Sequence, residues 1–193
     1  MVALIKPRLR MSVAEFLNWN PGDSRLWQLV DGKPRAMAPP NATHAFLQAE
    51  LAALIRNHLR ATNALCEVFV NPGVIPATMS VHNMRVPDLA VSCSPFELGQ
   101  PAPTNPVLVI EILSPSNQTD TWANVWAYTS IPSVHEILVL QADAIGGDIL
   151  RRLPDGTWPD RPDPFAAADL VLDSIGFRVA LADLYARTPL GRA

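Results

Sequence analysis

The residues Pro106-Val107-Leu108-Val109-Ile110-Glu111-Ile112-Leu113 form a run that is apolar but for one acid. A strand with no polar face cannot turn one side to water, so the run predicts a central strand covered on both faces. Ser114-Pro115-Ser116 ends it. The best helical pattern lies upstream, from about Thr43 to Ala61, where Leu47, Leu51, Leu54, Ile55, His58 and Leu59 recur at three- and four-residue steps. Asn117 to Thr129 can form a second helix, limited by Pro132. Together these segments predict a small α/β domain.

Shorter elements surround this framework. Ser12 and Glu15 make a capping box for a helix through about Trp19, which Pro21-Gly22-Asp23 breaks. Arg25 to Val30 and Lys33 to Met37 read as strands joined by an Asp31-Gly32 hairpin turn. Cys66 to Val70, Gly73 to Ala77 and Met84 to Ser92 are strand-like, and Ser94 to Asn105, rich in Pro and Gly, reads as a loop. Glu136 to Leu140 and Asp148 to Leu153 are strands about a Gly146-Gly147 turn. Prolines between 154 and 164 mark a loop, and Leu181 to Tyr185 a closing helical turn. With no internal repeat and no low-complexity linker, residues 1–193 are expected as one domain.

Composition excludes several classes. At 49% hydrophobic and 17% charged residues, the chain has the profile of a globular protein. No apolar run approaches the roughly 20 residues of a membrane-spanning helix. The apolar stretch at the N-terminus is too short for a secretory signal, so a cytoplasmic protein without a membrane partner is expected. A net charge of −3 argues against a broad nucleic-acid-binding face, though not against a local basic cleft. Cys66 and Cys93 form no C-x-x-C pair and are expected as buried free thiols. His58, His82 and His135 lack ligand spacing and read as structural. Neither a G-x-S-x-G segment nor a Gly-rich phosphate loop is present.

Glu111 is the anomaly in the central run. A buried carboxylate is costly unless it is paired or binds a cation. Asp88 follows Pro87 and leads into Leu89-Ala90-Val91, a second apolar run. Two acids entering core strands from separate segments suggest a shared cation, and oxygen donors favour Mg²⁺ or Mn²⁺. The residues alone leave another reading open, in which Asp88 caps a turn and Glu111 pairs with an arginine.

Val86-Pro87-Asp88 followed by Glu111 resembles the PD-(D/E)XK nuclease pattern. The surrounding motifs occur in order: Trp27-Gln28-Leu29-Val30-Asp31-Gly32, the helix opening at His44, Glu111-Ile112-Leu113-Ser114-Pro115-Ser116, Tyr128, Ile131-Pro132-Ser133 and Glu136. Over about residues 11–153, leaving 154–193 as a C-terminal extension, they resemble the bacterial "Putative restriction endonuclease" family of that superfamily. The resemblance implies a restriction-endonuclease-like core: a central mixed β-sheet flanked by helices, β-hairpins at both ends, and both acids at one end of the sheet. It also implies that Asp88, Glu111 and the carbonyl of Ile112 bind Mg²⁺, which activates a water and stabilises charge on the phosphate. DNA is the implied substrate, and a homodimer is expected from the family and from Trp122 and Trp126.

The chain departs from the pattern where a positive charge belongs. Leu113 stands two residues after Glu111, at the superfamily's lysine position. The resembled family moves its lysine onto the next helix, where Asp120, Asn124 and Tyr128 mark the register and Asn124 takes the lysine's place. Asparagine hydrogen-bonds a water or phosphate but carries no charge. The only lysines are Lys6 and Lys33. Arg85, three residues before Asp88, is expected on the opposite strand face unless Pro87 introduces a bulge. Gln28 replaces the family's glutamate. His44, at a helix N-terminus that favours phosphate, joins Gln28 and Tyr128 as candidate substrate-binding residues. Two functions are therefore expected as alternatives: a metal-dependent DNA endonuclease with its lysine replaced, or a nuclease-fold module that binds metal, DNA or protein without turnover.

Overall fold

The computed structural model describes residues 10–115, 117–166 and 169–192; Lys6 and Ser116 lie outside them. Helix α1 (Val13–Leu17) opens on a complete capping box, with the Glu15 carboxylate accepting from the Ser12 N–H at 2.6 Å. Strands β1 (Trp27–Val30) and β2 (Lys33–Ala36) form an antiparallel hairpin. Its turn places Asp31 at φ 50° and Gly32 at φ 75°, the left-handed pair that a tight hairpin demands. Helix α2 (Ala42–Ala61) is capped by Asn41, whose side chain accepts from the His44 N–H at 2.9 Å. Its apolar stripe buries Leu47, Leu51, Ile55 and Leu59.

The central sheet runs β3 (Glu67–Val70), β4 (Leu89–Ser92), β5 (Pro106–Leu113), β6 (Glu136–Gln141), β7 (Gly147–Arg151) and β8 (Asp163–Phe165), in that spatial order. Neighbours are antiparallel except β5 and β6, which are parallel and joined through helix α3 (Gln118–Tyr128). A parallel pair needs such a crossover. Strand β5 is buried on both faces, as its composition demands. Leu108, Ile110 and Ile112 pack with α2, while Val109 and Leu113 pack with Val125 and Tyr128 of α3. Among the described residues, no helix is long and apolar enough to cross a membrane.

The C-terminal stretch is more ordered than its prolines suggest. After β8, β9 (Asp169–Leu172) and β10 (Phe177–Ala180) form a hairpin, followed by helix α4 (Leu181–Tyr185). Leu170, Leu172, Phe177, Leu181 and Leu184 join the α2 side of the core. Glu136 anchors this segment. It is 1% exposed and accepts from Arg151 Nε at 2.9 Å, the Ser174 hydroxyl at 2.8 Å and the Ser174 N–H at 3.1 Å.

Three expectations are corrected. Gly73 to Ala77 forms no regular strand, only a bridge from Val74 to Arg85. The strand expected from Met84 to Ser92 is regular only from Leu89, because Pro87 has no N–H to give to a ladder and the chain bends at Asp88. Cys66 and Cys93 are not free thiols but a disulfide. They immediately flank the β3–β4 ladder, whose Glu67↔Ser92 pairing sets them opposite each other.

Removing the Glu136 carboxylate by Glu136→Ala strips the β9–β10 segment of its acceptor and leaves Arg151 without this partner. The expected loss is about 1–3 kcal/mol in urea unfolding, with the Arg151→Ala effect non-additive to it. Thiol titration of the denatured, unreduced protein is expected to find no free cysteine; full reactivity of both residues would contradict the pairing.

Candidate functional site

The antiparallel register Leu89↔Ile110 brings the residue before β4, Asp88, level with Glu111 on β5. Both acids are buried, at 8% and 6% exposure. Asp88 lies past the regular end of β4, so the Ile112 N–H has no ladder partner on that side. Asp88 Oδ2 takes it, at 2.6 Å. In an extended strand the carbonyl of a residue leaves the same edge as its N–H, so the Ile112 carbonyl opens beside Asp88.

The other Asp88 oxygen, Oδ1, is 2.8 Å from His44 Nε2, and His44 Nδ1 is 3.2 Å from the Ser114 hydroxyl. An ionised carboxylate only accepts, so Nε2 carries a proton, and a neutral ring then accepts the Ser114 hydroxyl at Nδ1. His44 is thus not an exposed first-turn residue awaiting phosphate. It is 6% exposed and holds Asp88. One helical turn on, Gln48 donates to the Asp88 carbonyl at 2.9 Å.

Glu111 faces α3. The Tyr128 hydroxyl donates to its Oε1 at 2.8 Å. Burial, then the negative charge of Asp88, push the Glu111 carboxyl well above the usual carboxylate range, against the hydrogen bonds from Tyr128 and Asn124. Burial and the charge of Glu111 likewise raise the Tyr128 phenol. Tyr128 is fully buried, so its hydroxyl serves Glu111 rather than presenting itself to a substrate. Asn124 and Gln28, both buried, meet through a bond from Asn124 Nδ2 to Gln28 Oε1 at 3.3 Å. Gln28 is therefore no surface position of β1. Leu113 shares the Glu111 side of β5 and packs in the α3 core.

The carboxylates suit a hard divalent ion in donor type and in charge. A buried acid whose proton affinity is raised by a neighbouring carboxylate is relieved by a cation between the two. No cluster of three or more His, Cys, Asp or Glu residues able to hold a metal occurs among the described residues. Two carboxylates and a carbonyl suffice for an ion that keeps several waters.

Ser114 and Gln48 were not singled out from sequence. Gln48 carried a signal, a polar residue four after His44 on the apolar face of α2. Ser114 carried less, since it also reads as a strand terminator.

This geometry, a mixed sheet with two facing acids at the end of its antiparallel pair, defines a restriction-endonuclease-like fold. Residues 13–182 match the Uma2 family, described as "Putative restriction endonuclease", and the chain belongs to that family. It is 28% identical over 182 residues to "Uncharacterized protein slr1290" of Synechocystis sp. (strain ATCC 27184 / PCC 6803 / Kazusa), covering 93% of each chain. Its fold is similar to that of a crystal structure of a "putative nuclease belonging to DUF820" from Anabaena variabilis ATCC 29413. The TM-score is 0.74 at 18% identity, over 91% of this chain and 98% of the other.

Tyr128→Phe removes the hydroxyl on which Glu111 rests. We expect a loss of about 1–3 kcal/mol in chemical denaturation, the cost of an unsatisfied buried acceptor. An unchanged midpoint would mean that the bond contributes nothing to stability.

Proposed function

We propose that this chain is a divalent-metal-dependent DNA endonuclease of the PD-(D/E)XK type that hydrolyses phosphodiester bonds. The observation that carries the reading is the buried pair Asp88, just before β4, and Glu111, level with it on β5, with the proton affinity of Glu111 raised by burial and by its neighbour. Asp88, Glu111 and the Ile112 carbonyl are the residues that would hold Mg²⁺ or Mn²⁺. When bound, the ion supplies Lewis-acid charge at the scissile phosphate.

The chain's own residues prepare that site. His44 fixes Asp88 through Nε2 and is itself steadied by Ser114. Tyr128 orients Glu111. Asn124 offers an amide donor to a water or phosphate oxygen where the family's lysine offers charge. The apolar packing of Leu113, Val125 and Tyr128 excludes water behind the acids.

A second reading is favoured by the Asn124–Gln28 bond. Two neutral amides satisfying one another in the lysine's place suit a module that binds without turnover.

Plasmid nicking in Mg²⁺ or Mn²⁺, with Asp88→Ala as the control, separates the readings. The endonuclease reading expects wild-type nicking that falls by at least about 10²-fold in the variant. Equal nicking by both proteins would sink it. Calorimetric Mn²⁺ binding to the wild type but not to Asp88→Ala, without any nicking, would establish the module.

A further inference from the structure

Arg85 is 7% exposed, and its Nε is buried without a hydrogen-bond partner. A desolvated guanidinium donor with nothing to donate to is unfavourable and calls for an explanation. Its position supplies one. The chain bends between Arg85 and Asp88, so the three-residue spacing no longer sends the two side chains to opposite faces. Met84 is instead bridged to Leu29 of β1, and one register step along Arg85 stands opposite Gln28. Gln28 in turn pairs with Arg35 of β2. Facing residues on neighbouring antiparallel strands share a side of the sheet. Arg35, Gln28 and Arg85 thus form a row that starts at an exposed arginine and ends at a buried one, with Gln28 bonded to Asn124.

Tyr128, Asp31, Asp120 and Arg35 surround Arg85. Burial lowers the proton affinity of its guanidinium, the Tyr128, Asp31 and Asp120 side chains favour its charge, and Arg35 opposes it. Tyr128 and Asp120 lie at the two ends of the helix face that carries Asn124 in its middle. Arg85 therefore offers an unused Nε donor opposite Gln28, whose side chain bonds Asn124, the residue at the lysine's position. A guanidinium recognises a phosphate through paired hydrogen bonds.

We propose that Arg85 binds the scissile phosphate of DNA and supplies the positive charge that Asn124 cannot. The proposal rests on the nuclease reading above. Arg35 continues the same row outward toward the flanking phosphate backbone.

The test measures binding apart from cleavage. Anisotropy of a short labelled duplex in EDTA, titrated with salt, reads the number of phosphate contacts. Arg85→Gln is expected to weaken binding and to lower the log–log salt slope by about one. Arg85→Lys is expected to keep the slope, as is Arg178→Gln, whose exposed side chain pairs with Asp169 on the C-terminal hairpin. In nicking assays Arg85→Gln is expected to lose about 10²–10³-fold. Adding Asn124→Lys to Arg85→Gln is expected to recover activity that the same change scarcely raises in the wild type. A slope for Arg85→Gln equal to that of the wild type would overturn the proposal, even if nicking by the wild type upholds the nuclease reading. Absence of wild-type nicking would fail that reading and leave the slope to decide the role of Arg85. If Arg85→Gln does not fold, the Arg85 Nε–H resonance of the wild type, assigned by its loss in Arg85→Lys, decides. It shifts on adding duplex if the proposal holds and stays in place if it does not.

Discussion

Asp88 is the residue on which the end of the central strand and the start of the long helix converge. One oxygen takes the Ile112 N–H at the end of β5, the other meets His44 at the start of α2, and the backbone carbonyl receives Gln48 one turn further along that helix. Each contact satisfies a polar group that burial makes expensive to leave alone. The consequence is geometric. The helix N-terminus, the end of the central strand and the bend after Pro87 are held in one arrangement, and Glu111 is thereby kept beside a second acid.

That arrangement concentrates negative charge in a poorly solvated place. Glu111 responds by holding its proton more tightly, and Tyr128 supplies a donor to its oxygen. The compensation at Glu111 comes from neutral groups, the Tyr128 hydroxyl and the Asn124 amide, while the buried Arg85 has an unused Nε donor. The proposed divalent ion and DNA phosphate are partners that suit such a set of charges. The family to which the chain belongs is described as "Putative restriction endonuclease", and the fold is shared with the Anabaena variabilis protein.

Much of the fold was legible in the sequence, for reasons tied to particular residues. The apolar run at 106–113 suggested a doubly covered strand, and it forms β5 with those bounds. Ser12 with Glu15, and Asp31 with Gly32, encode local hydrogen bonds and dihedrals that need no distant partner. The α2 stripe and the α3 register are periodicities of one segment. The strands β8, β9 and β10 were not legible. They are only three or four residues long, and they are held by long-range packing and by Glu136 rather than by any pattern of their own.

The candidate site divides along the same line. That Asn124 takes a lysine's place came from the family resemblance; from the residues alone, Glu111 was an acid in an apolar strand and Asp88 an acid at the head of another. Those are statements of residue type and spacing, which the chain carries by itself. Only the tertiary structure decided that His44 turns inward to Asp88, that Cys66 meets Cys93, and that Gln28 is buried against Asn124. Arg85 shows why. Counting along a regular strand sent it away from the acids, but Pro87 ends the regular strand, and pairing with β1 decides where the side chain goes. Spacing predicts direction only while the backbone stays periodic; once it bends, the neighbouring strands set the direction.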